Sequence, residues 1–95
     1  MIYLRNEIGE PQGKFNLDRA VKIATGKKHN YTRWDNILRT ATGNFVLQAI
    51  SCWQGEPRTY EKITKEEVIT LMEQWEYTKE EIQVEFPDYT EEETY

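Results

Sequence analysis

Apolar positions change their spacing along this chain, and each change marks an element. "MIYLRN" alternates at Ile2 and Leu4, with Tyr3 adding β-propensity, and reads as a first strand. "EIGEPQG" holds two Gly and a Pro and reads as a loop. Asn16 then stands where an N-cap belongs, ahead of Leu17, Ala20, Val21 and Ala24. That spacing of i, i+3, i+4, i+7 predicts an amphipathic helix over about residues 16–25. Phe15 is placed to fold onto its first turn, Gly26 to stop it, and Lys27 and Lys28 to complement its dipole.

"WDNILRTATGNFVLQAISCW" is two β-rich runs around Thr42-Gly43-Asn44, and it predicts a hairpin over 34–53 with Gly43 supplying a positive φ. Phe45, Leu47 and Ala49, continued by Ser51 and Trp53, face one way and are expected to meet the helix; Val46, Gln48, Ile50 and Cys52 face the other. "QGEPR" is a second loop, and "TYEKI" a further short strand. Thr64 and Glu67 form a capping box with Ile63 and Val68 as its staple, starting a helix over about 64–76 that packs Val68, Leu71, Met72 and Trp75. Thr78 and Glu81 repeat the device with Tyr77 and Ile82. Residues 79–86 then read either as a second capped helix or, from the alternation of Ile82, Val84 and Phe86, as an extended piece closed by Pro87. The expected fold class is α+β: a small antiparallel sheet of three or four strands around the 34–53 hairpin, packed with helices near 16–25 and 64–76. The expected organisation is one domain over residues 1–86 and an acidic tail over 87–95.

Charge divides the chain more sharply than the pattern does. The first 62 residues hold ten Lys/Arg and six Asp/Glu, a balance of +4; residues 63–95 hold two Lys and eleven Asp/Glu, a balance of −9, which together give the net −5. Either the two parts neutralise each other within one domain, or they are two surfaces with different partners. Glu66, Glu67, Glu80 and Glu81 lie in first turns, where caps and the helix dipole account for them. Glu85, Asp88, Glu91, Glu92 and Glu93 have no such role, and with Tyr89 and Tyr95 they form either a solvated end or a docking strip. The candidate partner-binding set is therefore Glu80, Glu81, Glu85, Asp88, Tyr89, Glu91, Glu92, Glu93 and Tyr95. An alternative set is basic: Lys22, Lys27, Lys28, Arg33 and Arg39, near Arg19 and with Tyr31 and Trp34 interleaved, a combination that can hold a nucleic-acid backbone and stack bases. The sequence pI of about 4.9 weighs against it.

Catalytic chemistry has little to stand on. His29 and Cys52 are the single histidine and cysteine, too few for a zinc site, and no glycine pattern builds a phosphate loop. Cys52 beside Trp53 reads as a small buried hydrophobe rather than a nucleophile. The expectation is a protein without enzymatic activity, cofactor or metal. A hydrophobic share of 38%, with 13% aromatic, supports one folded domain whose burial comes mainly from Trp, Phe and Tyr. No apolar run approaches the ~20 residues of a membrane span, the start lacks the pattern of a secretory signal, and one cysteine fits a reducing compartment. A cytosolic location is expected, with no membrane partner.

Four segments in order, "FNLDRAVKIA" (15–24), "LRTATGNF" (38–45), "WQGE" (53–56) and "ITKEEV" (63–68), resemble a loosely related group of small proteins from phages and mobile elements of Gram-positive bacteria. That group shows a short strand, an F-N-L-x-x-A-x-x-I-A helix, a hairpin of the form L-Y-R-T-x-x-G-N and a final T-x-E-E-A helix. The resemblance covers about residues 1–76; this chain departs from it at Leu38, where an aromatic is usual, and in the acidic extension after Trp75. In size and acidity the group is similar to anti-CRISPR and other anti-defence proteins, some of which occupy the DNA-binding groove of a nuclease. The resemblance thus implies a non-enzymatic inhibitor that binds a CRISPR effector nuclease through an acidic, DNA-mimicking surface. The alternative is a small nucleic-acid-binding or regulatory accessory protein of a phage or mobile element, using the basic 19–39 region.

Overall fold

A computed structural model of the chain describes residues 1–5, 11–26, 33–51 and 58–90. Strands β1 (Ile2–Arg5) and β2 (Pro11–Phe15) form an antiparallel pair. A single 3-10 turn (Leu17–Arg19) leads into β3 (Val21–Thr25), β4 (Arg33–Arg39), β5 (Phe45–Ser51) and β6 (Thr59–Ile63), which form an antiparallel sheet in the order β3-β4-β5-β6. Helices α1 (Lys65–Gln74) and α2 (Lys79–Glu85) follow. The fold is α+β.

Strands β4 and β5 pair without a slip from Arg33↔Ser51 to Arg39↔Phe45. Their turn is closed by Thr40, whose N–H donates to the Asn44 carbonyl (2.8 Å) while its own carbonyl accepts from the Gly43 N–H (3.0 Å). Gly43 has φ +85°, the left-handed conformation expected of it. One face of the sheet sends Ile37 into a cluster with Ile63, Val68, Met72, Trp75, Ile82 and Phe86; Phe45 and Leu47 pack against it. Phe45 and Leu47, expected to meet a helix over 16–25, meet α1 and α2 instead. On the other face Leu38 and Val46 pack with Leu4 and Phe15 of the β1–β2 pair. Three layers result, with the sheet in the middle. Because β4 is covered on both sides, Asn36, Ile37 and Leu38 are all buried and the strand shows no polar alternation.

Two expectations need correction. No helix spans residues 16–25. The Asn16 side chain accepts from the Asp18 N–H (3.0 Å), but only one turn forms, and Ala20 is already extended at φ −81°, ψ 147°. Beyond it Val21, Ile23 and Thr25 are β-branched and alternate, and the strand they form supplies backbone partners to β4. The apparent stripe divides: Leu17 and Ala20 pack beside Leu38, Ala24 joins the helix-side cluster, and Val21 is exposed. A bulge between Lys22 and Ala24 lets Ile23 reach the same cluster as Ala24. The helix implied by the resemblance over "FNLDRAVKIA" is absent for the same reason. Likewise, residues 11–13 of the expected loop are strand, with Pro11 at the first position of an edge, where no ladder N–H is needed, and Gly13 at φ +114°. Residues 7–10 of that loop lie outside the described residues, as do Lys27, Lys28, His29, Cys52 and Trp53.

Both helix starts are capping boxes. The Thr64 Oγ1 accepts from the Glu67 N–H and the Thr78 Oγ1 from the Glu81 N–H, each at 3.2 Å, and each glutamate returns a bond to the cap backbone. The staple residues Ile63 and Val68, and Tyr77 and Ile82, belong to the same cluster. Residues 79–85 are therefore helix, which buries Ile82 and Phe86 one turn apart and leaves Val84 84% exposed. The end of α1 is a Schellman motif: the Tyr77 N–H reaches the Met72 carbonyl and the Glu76 N–H the Glu73 carbonyl, both at 3.0 Å, with Glu76 at φ 63°.

Trp75 then seals the sheet. Its ring lies over Gly26, where an added Cβ would stand 2.8 Å from Trp75 Cε2 and 2.9 Å from Cζ2. Gly26 is thus a contact glycine, not a helix stop. Replacing it with alanine forces the ring or the strand end to shift, and Gly26→Ala is expected to lower stability by about 1–3 kcal/mol, read as a lower Tm.

Candidate functional site

The acidic candidates divide into those used inside the fold and those left outside it. Glu85, on α2, receives both its bonds from Arg39 Nη1, at 2.6 Å to each carboxylate oxygen. Its side chain is 14% exposed and that of Arg39 41%, so the pair sits at the edge between sheet and helix. One member comes from each of the two competing candidate sets, and they satisfy each other. Asp88 accepts from Lys65, whose ammonium is 3.2 Å from the carboxylate and 5.5 Å from the Phe86 ring centroid. Tyr89 packs against the helix-side cluster and its carbonyl accepts from Gln83 Nε2 (2.9 Å). Residues 88 and 89, assigned by sequence to a tail, are thus fastened to the helices. Glu91, Glu92, Glu93 and Tyr95 lie outside the described residues.

Two carboxylates carry the imprint of these contacts in their acidity. The backbone and hydroxyl bonds from Thr78 hold the Glu81 carboxyl below its usual range, and the bond from Lys65 does the same for Asp88. Both groups are exposed, and their bonds compete with water.

Among the described residues the basic candidates are not gathered into one surface. Arg39 faces α2, whereas Lys22 pairs in register with Leu38 and belongs to the opposite face of the sheet. Arg33 stands at the other end of β4, roughly 20 Å along the strand from Arg39. Lys27 and Lys28 are outside the described residues.

What remains is the outer side of the α1–α2 layer. Glu66, Glu67, Glu73, Glu76, Glu80, Glu81 and Asp88 are exposed along α1, α2 and the turns beside them, against Lys65 and Lys79, a balance of −5; Glu67, Glu81 and Asp88 among them are bonded to Thr64, Thr78 and Lys65. Beside α1 a groove of about 510 Å3 runs between Glu66, Thr70 and Glu73 on one side and Asp88, Tyr89 and Thr90 on the other, with Ile69 in its wall. Glu73 is the residue that sequence reasoning missed. It lies in the last turn of α1, which holds no basic residue, where the helix dipole disfavours a carboxylate. No ion pair holds it among the described residues. An acid at the wrong end of a capped helix is a signal readable in the sequence, though only once the helix end is known.

Among the described residues no three His, Cys, Asp or Glu side chains are grouped to hold a metal ion. No helix among them is long and apolar enough to cross a membrane. Comparison with protein-family models, with curated proteins and with solved structures finds no match.

The Arg39–Glu85 pair gives a direct expectation. In a double-mutant cycle with Arg39→Ala and Glu85→Ala, thermal unfolding should show a favourable coupling of about 1 kcal/mol, above the usual exposed pair because Glu85 is largely covered. A coupling indistinguishable from zero contradicts a structural role. Acid should weaken the start of α2 as well. Since the folded-state value of Glu81 is lowered, its contribution is complete above the ordinary value of 4.5 and is lost as pH falls through the lowered one. Glu81→Gln should therefore lose less stability than wild type between neutral pH and about pH 3 in an acid titration followed by circular dichroism.

Proposed function

We propose that this protein is a non-enzymatic inhibitor that binds a nucleic-acid-handling protein of a bacterial defence system, a CRISPR effector nuclease foremost, in the cytoplasm of the host cell. The supporting observation is the outer α1–α2 layer and, within it, Glu73, which opposes the dipole of its own helix. Structural needs account for the caps and for Glu85; they do not account for Glu73. A site built for phosphates would give these carboxylates basic partners, and such complementarity raises association rates and selects partners more than it adds affinity.

Magnitudes restrict how this surface works. Helix α1, with ten residues, is about 15 Å long. Duplex DNA carries roughly nine charges over that length, at one per ~1.7 Å. The −5 of the layer is therefore a dilute copy of a duplex, and charge mimicry has to be supplemented by apolar contact. The tight use of Arg39 by Glu85 weakens the alternative of direct nucleic-acid binding.

Expression in a CRISPR-immune host should restore plaques of a targeted phage for at least one effector type, and absence of rescue across the common types contradicts the proposal. Glu73→Lys supplies the control for folding. A cation in the last turn of α1 complements the dipole, so its Tm should be unchanged or higher while effector capture falls roughly tenfold or more.

A further inference from the structure

A second groove, on the other flank of α1, is of a different kind. It has a volume of about 360 Å3 and lies between α1 and the β5–β6 strands. Leu47, Ile63 and Leu71 make its floor, and Glu61, Glu66 and Glu67 stand on its rim; no Lys or Arg lines it. Register explains the arrangement. Glu61 pairs with Leu47, so both side chains belong to the helix-facing side of the sheet, and Glu61 comes up beside α1. One carboxylate oxygen of Glu67 is occupied by Thr64, at 3.3 Å from its N–H and 3.2 Å from its hydroxyl. Glu61 and Glu66 are exposed, on opposite rims.

Apolar floor and anionic rim together select an occupant. An acidic or purely apolar segment would bring the rim carboxylates against like charge or strip them of water without compensation. A segment with an apolar anchor flanked by Lys or Arg satisfies both parts. The volume, near the lower end of the ~300–1,000 Å3 of ligand pockets, suits a few side chains of a longer segment.

We infer that this groove takes a basic amphipathic segment of the protein partner, its apolar side chain on Leu47, Ile63 and Leu71 and its cations on Glu61 and Glu66. The inference rests on the proposed function in placing a protein partner at α1, and it supplies the apolar contact that the dilute charge of the layer requires. Glu66 and Thr70 line both grooves, so one partner astride α1 would engage both at once.

The test uses the full chain, 15N-labelled, and two synthetic peptides of about twelve residues with the same leucine spacing, one with Lys and Arg at the other positions and one with Glu. The basic peptide should shift the amides of Leu47, Ile63, Thr70 and Leu71, and its binding should weaken roughly tenfold between about 50 and 300 mM NaCl. The double variant Glu61→Lys/Glu66→Lys, and separately Thr70→Arg, should each weaken it at least roughly tenfold with the spectrum still dispersed. Shifts confined to another face, equal binding of the acidic peptide, or no shift at millimolar peptide overturns the inference. Effector capture distinguishes the two claims. If Glu61→Lys/Glu66→Lys still captures an effector that Glu73→Lys loses, the groove inference fails and the proposed function stands. If no effector is captured but the basic peptide seats in the groove, the groove stands and the effector assignment fails.

Discussion

Strands β4 and β5 are covered on both faces, and every other element is placed by that covering. Ile37 looks toward α1 and α2 while its neighbour Leu38 looks toward the β1–β2 pair, so one strand serves two cores. A sheet buried in this way cannot leave its polar groups to water. Asn36, Gln48 and Tyr60 accordingly form a ladder across β4, β5 and β6, with Asn36 Nδ2 donating to Gln48 Oε1 (3.0 Å) and Gln48 Nε2 to the Tyr60 hydroxyl (3.2 Å). Because the side-chain period of a strand is two, a one-residue slip would break both bonds and turn Ile37 away from the helices. The ladder therefore holds register, and it does so although Asn36 Oδ1 is itself buried without a hydrogen-bond partner. The open edge of the sheet is closed by the same logic: the Tyr77 hydroxyl accepts from the Thr25 N–H (2.8 Å) and donates to the Thr25 carbonyl (3.2 Å), occupying the outward backbone of β3 as a neighbouring strand would.

Once the helices are seated, the fate of each acid follows from its height above the sheet. Glu85 is near enough to reach Arg39 and becomes part of the fold. Glu67 and Glu81 are consumed by caps. Glu73 and Glu80 are exposed and make no ion pair among the described residues, although Lys65 lines the same groove as Glu73. The division between a basic body and an acidic end is thus bridged by the tight Arg39–Glu85 pair, whereas Lys65 and Asp88 pair within the acidic end itself and an excess of carboxylates faces outward.

Local signals were legible in the sequence where the physics is local. Thr64 with Glu67, Thr78 with Glu81, and Gly43 in its turn each need only neighbours within a few residues, and each is found as read. Residues 16–25 failed because two local signals compete there. The spacing of Leu17, Ala20, Val21 and Ala24 fits a helix, the β-branching of Val21, Ile23 and Thr25 fits a strand, and the edge of β4 decides between them. The partner of Glu85 was hidden for a related reason, since Arg39 is 46 positions away and becomes its neighbour only through the packing of α2 on β4. Gly26 misled in the same manner: its role is set by Trp75, far along the chain.

The acidic excess of the α1–α2 layer, Glu73 above all, is not neutralised by an ion pair among the described residues. The most direct measurement is the Tm of the full chain as NaCl is raised from about 10 to 300 mM, which screens exposed charges beyond a Debye length falling from ~30 to below 10 Å. Self-repulsion among the excess carboxylates of the layer predicts a Tm that rises with salt, and a smaller rise in Glu73→Lys. A Tm that falls with salt would mean that attraction between the basic body and the acidic end dominates, and would contradict an outward surface kept for a partner.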